Sequence, residues 1–176
     1  LDKIESSIFK RGIYTQLDDL NDSIDQKQGY LLAICEKLGF FIDSTKDNVV
    51  KLDYNDKYGW HIHMTKNRSK ILQNRFKNLQ NKTIDFKDKN NQIFLSLDTN
   101  DIRLVTRGSD IFIDIPYIYN ISNELFSITK KIQSFNKEKY LLNIKKFYEK
   151  YSTFMNDIVY YIGEIDLNCN NAKISI

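Results

Sequence analysis

Two apolar stripes that alternate steps of three and four residues constrain this chain more than any other feature of its sequence. In residues 15–42, Leu17, Leu20, Ile24, Leu31, Ile34, Leu38 and Phe41 follow one another by 3, 4, 7, 3, 4 and 3, broken only at Lys27. In residues 122–167, Leu125, Ile128, Ile132 and Phe135 step by 3, 4 and 3. After a one-residue slip, Leu141 to Ile165 continue by 3, 4, 3, 4, 3, 4 and 3. This spacing keeps a narrow apolar seam on one helix face, as in a coiled coil. At 1.5 Å per residue, the first helix should run roughly 40 Å and the second roughly 70 Å. Thr15 and Asp18 resemble a capping box, and Ser122 with Glu124 reads as the start of the second helix just after Pro116, the only proline.

Between the stripes the period falls to two. Residues 49–54, 58–65, 92–97, 102–106 and 111–115 read as strands, with turn signals at "YNDK" and "RGSD". Residues 66–90, including "RSKILQNRFKNLQ", fit either a short amphipathic helix or a loop excursion. The expected fold is α+β: a long antiparallel two-helix, coiled-coil-like arm with a small antiparallel β-sheet domain inserted at its tip. Residues 1–45 and 120–176 would form the two halves of the arm, and 46–119 the β-rich domain.

Composition narrows the function classes. With 41% hydrophobic residues the chain can build a core and is not a disordered tail. It starts at Leu1 rather than Met, shows no signal peptide and has no apolar run that could span a bilayer, so a piece of a longer intracellular protein is expected, with no membrane partner. Cys35 and Cys169 lie far apart and read as two reduced thiols. The net charge of +3 is unevenly spread. Residues 46–119 carry 13 Lys and Arg against 9 Asp, or +4, whereas the remainder carries 13 against 14, or −1. From Lys57 to Ile84 there are seven basic residues and no acidic one. Such a stretch is either a solvated face or a phosphate-facing surface.

Catalytic motifs are not evident. No G-x-S-x-G or phosphate-binding glycine loop occurs, and neither cysteine has a histidine near it in sequence. His61 and His63, two apart in a strand, point to one face and would bind a metal only if further ligands converged. The alternative is a structural pair, with Trp60 and Ile62 packing on the opposite face. The basic groups at strand ends and turns point instead to phosphate contact without base readout. The candidates are Lys66, Asn67, Arg68, Lys70, Arg103 and Arg107.

Four stretches in order resemble the MutS family of DNA mismatch-repair proteins. "FKRGIYTQLDDLNDSIDQKQGYLLAICEKL" (9–38) is similar to the segment that enters a lever helix. "LDYNDKYGWHIHMTKNRS" (52–69) resembles a clamp-domain strand, with Gly59, Trp60, Ile62, Thr65 and Lys66 in matching places. "YIYNISNEL" (117–125) is similar to the re-entry into the second lever helix. "IGEIDLNCNNAKIS" (162–175) resembles its end, through Glu164, Ile165, Asp166 and Ala172. Gly163 and 168–171 depart from the pattern, and 70–115 matches poorly. Phe147-Tyr148-Glu149 looks like a mismatch-reading Phe-x-Glu element but falls in mid-helix, where it reads as helix surface and core.

The resemblance implies a non-catalytic lever and clamp that contacts double-stranded DNA through its backbone. It also implies a second MutS-like subunit as partner. No cofactor is implied within this chain; ATP and Mg would be bound by an ATPase domain outside it. A composition rich in Ile, Asn, Lys, Tyr and Phe fits an AT-rich genome, such as that of a large virus. The competing reading is an arm whose β tip docks a protein.

Overall fold

The structure, a computed structural model, describes residues 7–45 and 48–174. The start at Leu1 and the expected boundary between 45 and 46 touch residues outside that range. The elements run α1 (Thr15–Ile42), β1 (Lys51–Asn55), β2 (Gly59–Thr65), α2 (Lys66–Lys77), β3 (Thr83–Lys87) and β4 (Ile93–Asp98). A single 3-10 turn (Thr99–Asp101) leads to β5 (Arg103–Arg107), β6 (Asp110–Asp114) and α3 (Pro116–Ile174).

This architecture corrects the expected two-helix arm with a small β tip. There are three helices and two antiparallel sheets, with six strands in all among the described residues. α1 has 28 residues and α3 has 59, or about 42 Å and about 88 Å. At one end the two helices lie together where Leu17 meets Ile128 and Ile132, flanked by Tyr14 and Phe135. Lys27, which interrupts the α1 stripe, forms an ion pair with Glu124 of α3. The later stripe residues Leu31, Ile34 and Leu38 are buried in a core that the sheets and α2 share with the start of α3. A three–four stripe asks for an apolar cover but does not specify which element supplies it.

Four strands form one sheet in the order β1-β2-β6-β5, and β3 pairs with β4 in a second. In the larger sheet Leu52 pairs with Ile62, Ile62 with Ile113, and Ile113 with Leu104, placing all four on one face. That face joins Leu72 of α2, Phe86 of β3 and Leu125 of α3 in a single core. Burying side chains of this size stabilises by about 1.5–3 kcal/mol each. Tyr30 of α1 stacks on Phe94 of β4 at 4.5 Å, seating the small sheet on the helix.

The helix ends differ from expectation in an instructive way. α3 begins at Pro116, where a missing N–H costs nothing, not near Ser122. Tyr14 occupies the N-cap of α1 without a side-chain cap bond, and Asp18 Oδ2 accepts the Gly12 N–H at 2.8 Å. No described helix is long and apolar enough to cross a membrane.

Candidate nucleic-acid interface

The stretch 66–77 resolves into a helix, α2, so the basic residues after β2 lie in its first turns rather than in an open turn. Ser69 and Leu72 are buried and Phe76 is half-buried, which fixes the inward face. At 100° per residue, Asn67, Lys70 and Asn74 fall on the opposite side, with Lys66 and Lys77 along its edge, and all are exposed. α2 carries no acidic residue at all.

The first turn of α2 has an unusual charge for its position. The N-terminus of a helix bears roughly half a positive charge and favours acidic side chains, while a cation there costs about 0.3–1 kcal/mol. Here Lys66 and Arg68 occupy the first turn, and the N-cap Thr65 makes no side-chain cap bond. The fold gains nothing from lysine at this place. Free backbone N–H groups and lysines together make a surface suited to anions.

Arg68 behaves differently from its neighbours. Its Nη1 donates to the Val49 carbonyl at 2.9 Å, tying α2 to the segment before β1. Arg107 and Arg103 sit at opposite ends of β5, about 13 Å apart along the strand. Arg107 pairs in register with Asp110, and Asp110 with Thr65, so it shares the sheet end from which α2 departs. Its guanidinium lies 4.4 Å from the Tyr58 ring and 5.0 Å from the Phe112 ring. Arg103 is opposite Asp114, at the far end. The structure therefore groups Lys66, Asn67 and Lys70, places Arg107 at the same end, turns Arg68 inward and sets Arg103 apart.

Sequence reasoning missed Asn74 and Lys77 as members of this face. Their signal was the helical period of 66–77, visible once Leu72 and Phe76 are taken as the inward side. It also missed Tyr58 and Phe112 as the seat of Arg107.

His61 and His63 share the solvent face of the sheet with Phe112, while Ile62 faces the core and Trp60 packs against it. The His61 ring stacks on Phe112 at 4.7 Å with the planes 6° apart. Its Nδ1–H donates to the Gly59 carbonyl at 2.8 Å, leaving Nε2 to face the Asn55 amide at 3.5 Å. His63 Nε2 lies 2.6 Å from Asp53 Oδ2, and its Nδ1 lies 3.9 Å from Asp110 Oδ2. Protein groups thus engage both rings. Among the described residues, no group of three or more His, Cys, Asp or Glu is arranged to hold a metal ion.

Both cysteines are free. Burial pushes the Cys35 thiol up to about 12, with the Glu36 and Asp53 charges adding to it. A thiol held neutral in this way is a poor nucleophile.

No family model matches the chain. The chain is 23% identical, over 194 aligned residues, to a protein of Acanthamoeba polyphaga mimivirus described as a DNA mismatch repair MutS homolog. The alignment covers 98% of this chain but only 16% of that protein, so the chain spans a small part of its relative's length. What the comparison establishes is a distant likeness to a MutS homolog that extends over nearly all of this sequence.

Proposed function

We propose that this chain is a non-catalytic, DNA-contacting part of a MutS-like mismatch-repair protein, and that the exposed face of α2 meets the phosphate backbone. The observation that carries the reading is the lysine-bearing, acid-free first turn of α2, where cations oppose the helix dipole and an anion would relieve the cost. The distant likeness to a mismatch-repair homolog supports duplex DNA as that anion. Lys66, Lys70 and Lys77 make the phosphate contacts, Asn67 and Asn74 donate hydrogen bonds, and Arg107 extends the surface at the sheet end. Arg68 serves mainly to hold α2 in place, and Arg103 contributes little from the far end. Contacts of this kind carry no sequence preference. ATP, Mg and a second subunit belong to the longer protein in this reading.

Fluorescence anisotropy with a random-sequence DNA duplex tests it across a salt series. Log affinity should fall with log salt at about −0.9 per phosphate neutralised. Changing Lys66, Lys70 and Lys77 together to Ala should weaken binding and flatten that slope by about two to three. Binding that keeps both its strength and its slope in the triple variant would remove α2 from the interface. No binding even at low salt would favour the reading in which the chain docks a protein.

A further inference from the structure

The solvent face of the larger sheet carries a cleft of about 630 Å³, within the size range of small-ligand sites. Tyr58, 37% exposed, lines it. Two hydrogen bonds set the turn that carries this ring: Asn55 Oδ1 accepts the N–H of Lys57 at 3.1 Å and that of Tyr58 at 2.8 Å. Tyr58 meets Phe112 edge to face with centroids 5.4 Å apart, and His61 likewise at 6.2 Å. Over the same ring stand two cations, the Lys57 ammonium at 5.1 Å and the Arg107 guanidinium at 4.4 Å. One comes from the β1–β2 turn and the other from the end of β5, yet their charges lie less than 10 Å apart. That is within about one Debye length at 0.1 M salt, so they repel. Among the described residues, neither pairs with a carboxylate. The two carboxylates that line the cleft are engaged elsewhere. Asp53 Oδ2 lies 2.6 Å from His63 Nε2, and Asp110 Oδ2 accepts from Ser109 Oγ at 3.3 Å.

We propose that this cleft receives an unpaired nucleotide of single-stranded DNA, its base laid against Tyr58 and its phosphates on Lys57 and Arg107. Three features choose that ligand. Two cations gathered without a carboxylate call for an anion, and a run of phosphates bridges them. The aromatic ring beside them offers stacking to any base, because every base has a π face. The site is also concave, whereas a duplex keeps its bases stacked inside and offers only its backbone to such a surface. Lys57 sits on a long, flexible stem, so its ammonium can yield the ring to a base and follow the phosphate. This inference goes beyond the reading of α2 as a duplex contact and stands on other residues; Arg107 alone is common to both.

Fluorescence anisotropy of a labelled oligothymidylate with the 176-residue protein tests it. Tyr58→Ala should weaken binding about tenfold or more, and Tyr58→Phe, which keeps the ring, should bind like the parent. Lys57→Ala and Arg107→Ala should each flatten the dependence of log affinity on log salt by about 0.7, the value for one phosphate of a single strand. In the parent, oligothymidylate should move the Tyr58 ring-proton resonances upfield, a stacking signature that needs no substitution. The variant with Lys66, Lys70 and Lys77 changed to Ala should still bind oligothymidylate, so failure of the α2 reading and failure of this one are told apart. An abasic oligonucleotide that binds as tightly as oligothymidylate would overturn the proposal, because the site would then hold phosphate alone. Oligothymidylate binding that is undiminished in Tyr58→Ala, lost in the α2 variant, or absent at low salt would overturn it equally.

Discussion

Ser122 Oγ of α3 accepts the backbone N–H of Trp60 at 2.9 Å, and the residue before Trp60 is Gly59, with φ +66°. A Cβ on Gly59 would come 2.5 Å from that same Oγ. The β1–β2 hairpin is therefore latched to the long helix through one hydroxyl that needs both a bare backbone and a free N–H opposite it. Ser122→Ala should cost about 1–2 kcal/mol by leaving a half-buried N–H unpaired. Gly59→Ala should cost about 2 kcal/mol or more, combining left-handed backbone strain with the clash. Because Ser122→Ala removes the atom that clashes, the double variant should lose less than the sum. Urea denaturation of the four proteins measures this; strict additivity would show that the latch is not shared.

Arg68 and the exposed lysines of α2 should separate in their effects. Arg68→Ala removes the bond to the Val49 carbonyl and the packing of its stem, so stability should fall by about 1–2 kcal/mol. The salt dependence of DNA binding should change little. Lys66→Ala with Lys70→Ala should do the reverse and leave the thermal midpoint within a few degrees of the parent or slightly above it, since a helix N-terminus is relieved of a cation. Paired melting and anisotropy measurements distinguish the two roles, and a large stability loss in the lysine variant would contradict this account of α2.

Cys35 makes stability depend on alkaline pH. Its thiol is raised from near 9 to about 12 in the folded chain, first by burial. Above pH 9 the unfolded chain gives up the proton while the folded chain keeps it, so the native state binds more protons and stability falls as pH rises, by up to about 1.4 kcal/mol per unit. The contribution is complete below pH 9. Relative to Cys35→Ala, the parent should lose about 1 kcal/mol between pH 8.5 and pH 10 in urea titrations. Iodoacetamide at neutral pH should modify exposed Cys169 and spare Cys35.

Arg107→Ala should cost about 1 kcal/mol, since its guanidinium covers the Tyr58 and Phe112 rings. Arg107→Met should recover part of that loss by restoring the covering stem without the charge. Equal losses in the two variants, compared by thermal melting, would assign the effect to the cation rather than to packing.

The elements were largely legible in the sequence, and their partners were not. α1 spans the residues its stripe marks, and β2, β4, β5 and β6 fall within a residue or two of the alternating runs. β3 escaped notice because only Ile84 and Phe86 carry its alternation through a polar segment. α2 stayed open between helix and loop because Ile71, Leu72 and Phe76 are few apolar marks in 12 residues, and one of them, Ile71, is exposed. The two-helix arm failed for a different reason. Periodicity is a property of one segment, whereas the choice between α3 alone and a core shared with the sheets and α2 as cover for Leu31, Ile34 and Leu38 depends on long-range topology. The candidate surface was legible as charge, from the acid-free run after Lys57. That Arg68 turns back to a carbonyl 19 positions away is not encoded in any local spacing.

α3 is a single helix from Pro116 to Ile174, and no proline interrupts it. From the latch at Ser122 to its end it measures about 78 Å. Tilted about that point as one body with the turns of α1 that Ile128 and Ile132 pack against, by about 5°, it displaces its far end by about 7 Å, more than a full helical turn. Because Trp60, two residues into the β1–β2 hairpin's second strand, is hydrogen-bonded at that pivot, the geometry works in either direction: a small rocking of the sheet becomes a large sweep at the tip, and a modest push at the tip reaches the sheet as a fine angular adjustment.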